Sequence, residues 1–154
     1  LFEARIGAAA GAVKPPNARP EKGERMSRLI DYGTASPEVR AVYDDIMTTR
    51  GVADVNNFWK ALAVHPPTLK RTWESLKEVM APGALDPLTK ELLYLAVSAT
   101  NGCDYCIASH RRAAEARGMT LEMLGELLAV VGMANETNRL AAALRVPVDR
   151  QLED

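Results

Sequence analysis

The sequence predicts an all-α fold. Three observations carry that expectation. Apolar residues recur at helical spacing from Ser27 onward, capping residues followed by proline open helices at Ser36-Pro37 and Asp86-Pro87, and no stretch alternates apolar with polar residues as a half-buried strand does. At 154 residues the chain has room for one domain with a real core and not for two comfortable ones. Apolar residues make up 47% and charged residues 25%, the proportions of an ordinary globular domain. A formal net charge of −1 gives no reason to hold nucleic acid or an anionic membrane, and no run approaches the length of a membrane span. Neither kind of partner is expected.

Residues 1–25 differ in character from the rest. Pro15, Pro16 and Pro20 stand among small and charged residues, and the apolar run 6–13 is mostly Ala and Gly, too weak for a signal-peptide core. They read as a flexible N-terminal extension, with Met26 as the natural start and 26–154 as the all-α domain. Ser36 caps the first helix, which carries Val39, Val42, Tyr43 and Ile46 on one stripe and ends at Gly51. Asn56 or Asn57 caps a short helix over 58–64, stopped by His65-Pro66-Pro67. A third helix over 67–80 sets Leu69, Trp73, Leu76, Val79 and Met80 at helical spacing and ends at Pro82-Gly83.

After Asp86-Pro87, residues 88–100 are apolar on nearly every side except at Lys90 and Glu91, the pattern of a helix buried in a core or at a subunit interface. Asn101-Gly102 breaks it. The next helix covers 103–117 and stops at Gly118, a candidate left-handed residue. Thr120 caps a helix bearing Leu121, Leu124, Leu127, Leu128 and Val131, and a separate last helix is expected over 135–144, before Pro147.

The chemistry concentrates in residues 91–110, ELLYLAVSATNGCDYCIASH, which hold both cysteines of the chain as a C-x-x-C pair. A close pair closes almost no loop, so as a staple it would stabilise little; the spacing suggests redox or metal chemistry in a reducing compartment, by default the cytoplasm. If the helix begins at Cys103, then Cys103, Cys106 and His110 fall at offsets 0, 3 and 7, one stripe along one face. A helix N-terminus favours a thiolate at Cys103, His110 one turn beyond Cys106 can take its proton, and Glu91 can orient the imidazole or carry protons to it. Two thiols three residues apart can close into a disulfide once one sulfur is oxidised.

Glu91, eleven intervening residues, then Cys103-x-x-Cys106-x-x-x-His110 resembles the redox branch of the alkylhydroperoxidase D-like (AhpD-like) and carboxymuconolactone decarboxylase superfamily, with no change in spacing. The flanking text, from NFWKALAVHPPTLKRTWESLKEVM to the helix after GMT, extends the resemblance over residues 36–145. It implies an AhpD-like fold of antiparallel helices packed in a homo-oligomer, a trimer or hexamer. It implies thiol-dependent reduction of a hydroperoxide substrate, with Cys106 meeting the peroxide, Cys103 resolving it, Glu91 and His110 relaying protons, and a lipoyl or thioredoxin-like dithiol reductant as partner. No cofactor and no metal is expected. The site is expected beside the helix that starts at Cys103, close to a subunit interface. Characterised alkylhydroperoxidases carry a further His inside the C-x-x-C; here Asp104-Tyr105 stands there, which thins the relay and sets a like charge beside Cys103.

Other readings stay open at this level. The pair could be a buried, inert dithiol. Cys103, Cys106, His110 and Glu91 could ligate zinc, although zinc-binding C-x-x-C pairs usually sit on a turn and this one runs into a helix. The superfamily includes lactone decarboxylases that transfer protons without a cysteine pair, and a non-catalytic redox-sensing assembly would use the same dithiol. His65, before two prolines, reads as structural or solvated; Trp59 and Trp73 read as core, and Arg111-Arg112 as solvent-facing.

Overall fold

The structure, a computed structural model, describes residues 28–153; the expected extension at 1–25 and the start at Met26 lie outside the described residues. Among the described residues every regular element is helical, as expected, and no helix is long and apolar enough to cross a membrane. The chain divides into two compact units, Leu1–Leu69 and Lys70–Asp154.

The described part of the first unit holds α1 (Pro37–Arg50), α2 (Asn57–Leu62) and the start of α3 (Pro66–Met80). Ser36 Oγ accepts the Val39 N–H at 3.3 Å, Pro37 takes the first helical position, and Gly51 ends α1 in the left-handed region (φ 64°). The expected stripe of Val39, Val42, Tyr43 and Ile46 is buried throughout. The Tyr43 hydroxyl donates to the Ile30 carbonyl at 2.8 Å. Lys60 is held between Asp31 (2.9 Å) and Asp54 (2.7 Å), which depresses the Asp54 pKa through the Lys60 hydrogen bond. Trp59 is buried, as the sequence suggested, with Arg50 over its ring.

The second unit holds the rest of α3, then α4 (Pro87–Asn101), α5 (Asp104–Glu115) and α6 (Leu121–Leu144). Trp73 is buried, whereas Val79, expected on the same stripe, is exposed. At 3.6 residues per turn Val79 lies roughly 80° round from Leu69, off the apolar face. Lys90, one of the two charges in an otherwise apolar stretch, donates to the Val79 and Ala81 carbonyls and so satisfies the C-terminal end of α3. Asp86 caps α4 by accepting the Thr89 N–H at 3.0 Å. The core of this unit is Leu95, Ala114 and Met119, with Leu88, Leu92, Ile107 and Leu127 packed against them.

One expectation needs correction. Residues 121–144 form one continuous helix, not two. The Asn135 side-chain NH₂ donates to the Val131 carbonyl (2.8 Å) and to the Thr100 hydroxyl (3.1 Å), so the side chain is engaged within the helix and across to α4. The buried side of α4 is the narrow line Glu91, Leu95 and Ser98, while Leu93 (52% exposed) and Val97 (59% exposed) lie open. The chain's own core therefore covers one face of α4.

Candidate active site

A reversal of the chain builds the site. Gly102 takes the left-handed conformation (φ 65°), where a side chain would be strained, and lets the Cys103 N–H reach the Ser98 carbonyl (3.1 Å) while its own N–H reaches Ala99 (3.3 Å). That pair of bonds ends α4 and turns the chain back within two residues, bringing α5 onto α4. The same device at Gly118 (φ 95°) ends the run after α5: Met119 N–H bonds the Ala114 carbonyl, and both side chains sit in the core.

Cys103 is consequently the N-cap of α5 and not its first turn, with φ −87° and ψ 89° outside the helical region. The single stripe expected for Cys103, Cys106 and His110 is thus broken at its first member. Cys103 Sγ accepts the Cys106 N–H at 3.3 Å, as a serine or aspartate cap would, and is bonded to Cys106 Sγ as a disulfide. Both cysteines are half-buried, which argues against the inert, fully buried pair. In this oxidised form neither sulfur is a thiolate ligand, and among the described residues no group of three or more His, Cys, Asp or Glu is arranged to hold a metal.

Cys106 and His110 stand one turn apart on α5. His110 Nδ1 lies 2.7 Å from Glu91 Oε2, and the other carboxylate oxygen, Oε1, forms an ion pair with Arg117 Nη1 at 3.3 Å. The Glu91 side chain is 6% exposed, and it is the one buried carboxylate among the described residues. Burial of a carboxylate is costly unless its oxygens find partners, and here the imidazole meets one oxygen while the Arg117 charge faces the other. An ionised carboxylate accepts only, so in this contact the proton belongs to His110 Nδ1, which leaves Nε2 as the ring nitrogen turned away from Glu91. Tyr94 stacks on the imidazole with ring centroids 3.6 Å apart and planes 17° from parallel.

The structure therefore joins Glu91 to His110 and Cys103 to Cys106, and sets Cys106 at i−4 from His110. Tyr94 and Arg117 were not foreseen. Tyr94 stands three residues after Glu91 on the same helix face, and that register was the available signal. His65 Nδ1 lies 2.8 Å from the Thr68 hydroxyl, a local contact in line with a structural role. Arg111 is exposed and paired with Glu115 at 2.9 Å, in line with a solvent-facing role.

Residues 66–149 match the sequence profile of the carboxymuconolactone decarboxylase family, more than half of the chain and all of the cluster just described. The chain belongs to this family. Within it the chain is AhpD-like. The crystal structure of an alkylhydroperoxidase AhpD core from Rhodospirillum rubrum superposes with a TM-score of 0.79 at 51% identity, over 84% of this chain and 98% of that one. An alkyl hydroperoxide reductase AhpD from Solibacter usitatus is 39% identical over 72 residues, 47% of this chain. An uncharacterized protein of the cox locus of Paracoccus denitrificans is 41% identical over 52 residues, 34% of this chain. The matched segments span 39% and 47% of those two curated relatives.

Proposed function

We propose that the chain reduces hydroperoxides through Cys103 and Cys106. The family hosts alkylhydroperoxidase-type and carboxymuconolactone decarboxylase-type chemistry, and the disulfide is the observation that favours the first, since proton transfer alone has no use for two sulfurs within bonding distance. In the reduced form the Cys106 thiolate attacks a peroxide oxygen, the O–O bond breaks, the alkoxide leaves as an alcohol after taking a proton, and Cys106 becomes a sulfenic acid. The Cys103 thiol attacks that sulfur, water departs and the disulfide forms. A lipoyl or thioredoxin-like dithiol returns the two electrons, ending as a disulfide itself and restoring both thiols. His110 accepts the Cys106 proton and delivers it to the alkoxide, while Glu91 orients the ring. Such acid–base assistance contributes about 10²- to 10⁴-fold. The reducing cytoplasm would suit this cycle.

The test begins with the fully reduced protein and a free-thiol count after one equivalent of an alkyl hydroperoxide. Two thiols should fall to none and return with a dithiol. Cys106→Ser should lose turnover with the fold intact. Persistence of both thiols, or full activity in Cys106→Ser, would overturn the proposal. A decarboxylase would draw on the same His110–Glu91 pair, and lactone turnover that survives thiol alkylation would favour it instead.

A further inference from the structure

We propose that Tyr94 and Arg117 are positioning residues that hold His110 as the Nδ1-protonated tautomer, with Nε2 as the nitrogen that exchanges protons with Cys106. The inference rests on the reading of His110 as the proton carrier for a reactive thiol.

A single hydrogen bond fixes one atom of an imidazole but not its plane, because the ring can still pivot about that atom or turn over and exchange Nδ1 for a carbon. The Tyr94 ring, parallel to within 17° and 3.6 Å away, removes that freedom on one face. The carboxylate that receives Nδ1–H has its own rotational freedom, and the Arg117 guanidinium restrains it through the ion pair with Oε1 at 3.3 Å. Arg117 is itself tied down, since Nη1 donates to the Ala113 carbonyl at 3.0 Å, one turn earlier in the chain. The result is a closed circuit from the end of α5 through Arg117 and Glu91 to His110 and back to α5. A solitary exposed ion pair would be worth little, but this one ends on a carboxylate that is almost wholly withdrawn from water. The ionisable groups about the ring are Glu91 and Tyr94 from α4, Cys106 one turn before it and Arg117 beyond it. Neither Tyr94 nor Arg117 is assigned contact with the reacting atoms; both act through His110.

The readout is the reactivity of Cys106 by itself. In a Cys103→Ser background, which keeps a capping oxygen, the rate of alkylation of Cys106 by iodoacetamide is followed against pH. Arg117→Ala and Tyr94→Leu are expected to slow alkylation at neutral pH about tenfold and to move the midpoint upward, because a mispositioned imidazole supports the thiolate less well. Tyr94→Phe keeps the stacked ring and should restore the parent curve. The ¹⁵N shifts of His110 in the parent protein should report one tautomer, protonated at Nδ1, and a mixture in the two disrupted variants. Curves that superpose on the parent for both variants would overturn the proposal. So would an Nε2-protonated His110 in the parent, a measurement that needs no variant to fold. Hydroperoxide turnover is measured separately. If the parent fails to reduce peroxide while the alkylation curves move as stated, the positioning roles stand and the peroxidase reading falls.

Discussion

Glu91 has two oxygens, one against His110 and one in an ion pair with Arg117, in a place with little water. Glutamine in its stead offers one carbonyl oxygen and an NH₂ group, so the NH₂ either faces the Arg117 guanidinium or donates to Nδ1 and forces His110 into its other tautomer. Glu91→Gln is therefore expected to cost about 1–3 kcal/mol of stability through the lost buried charge pairing. It should also slow peroxide turnover while leaving the disulfide able to form. Chemical denaturation and steady-state rates check the two parts, and an unchanged pH–rate profile would remove Glu91 from the proton path. The grouping of Glu91 with His110 and of Cys103 with Cys106 was legible in the sequence because two cysteines and a histidine at offsets 0, 3 and 7 are an unusual combination, and those offsets bring the side chains within reach of one another. Tyr94 and Arg117 stayed hidden for the opposite reason. A tyrosine and an arginine on helical segments are ordinary, and what distinguishes these two is a contact between α4 and the end of α5, which no local pattern encodes.

The helices themselves were read most reliably at their beginnings. Ser36-Pro37, Asp86-Pro87 and Thr120 each supply a side-chain oxygen where the first N–H groups lack partners, a purely local requirement that sequence can state. Asp86 also carries a pH dependence. Hydrogen bonds from Thr89, first its hydroxyl and then its N–H, hold the Asp86 carboxyl below its ordinary pKa of 3.8. A group lowered in the folded state contributes stability above its unfolded pKa and loses it as pH falls through the folded one. Between about pH 5 and pH 2 the thermal midpoint of the parent should thus fall more steeply than that of Asp86→Ser, whose cap does not titrate; parallel curves would count against it. The merging of the last two expected helices shows where local reading fails. Asn135 looks like the start of a new helix, yet the helix runs through it, and Gly132 lies mid-helix where an added Cβ would meet nothing within 4 Å. Gly132→Ala should then stabilise by about 0.5–1 kcal/mol, as in any helix interior, and a denaturation midpoint that does not rise would argue for a break at that point.

At the scale of the whole molecule the apolar surface is the feature left over. No residue of α6 is buried, although the helix carries Leu128, Val130, Met133 and Leu140, and all four are exposed along with Leu93 and Val97 of α4. A leucine or valine side chain left in water forgoes about 1.5–3 kcal/mol relative to burial, so a 24-residue helix of this composition is poorly accounted for by one chain alone. The sequence anticipated this much, since a stretch apolar on nearly every side belongs in a core or between subunits, and the core covers one face of α4. What it could not give is the number of copies, because that depends on how two surfaces meet rather than on what either is made of. A homo-oligomer is accordingly predicted. Sedimentation at micromolar concentration should return three or six times the 16.7 kDa of the chain. Val97→Asp should lower that mass, because a carboxylate at an apolar contact loses its hydration without gaining a partner. A single-chain mass for the parent would overturn the expectation, and it would mean that the apolar faces of α4 and α6 remain in water at a cost that other parts of the fold must offset.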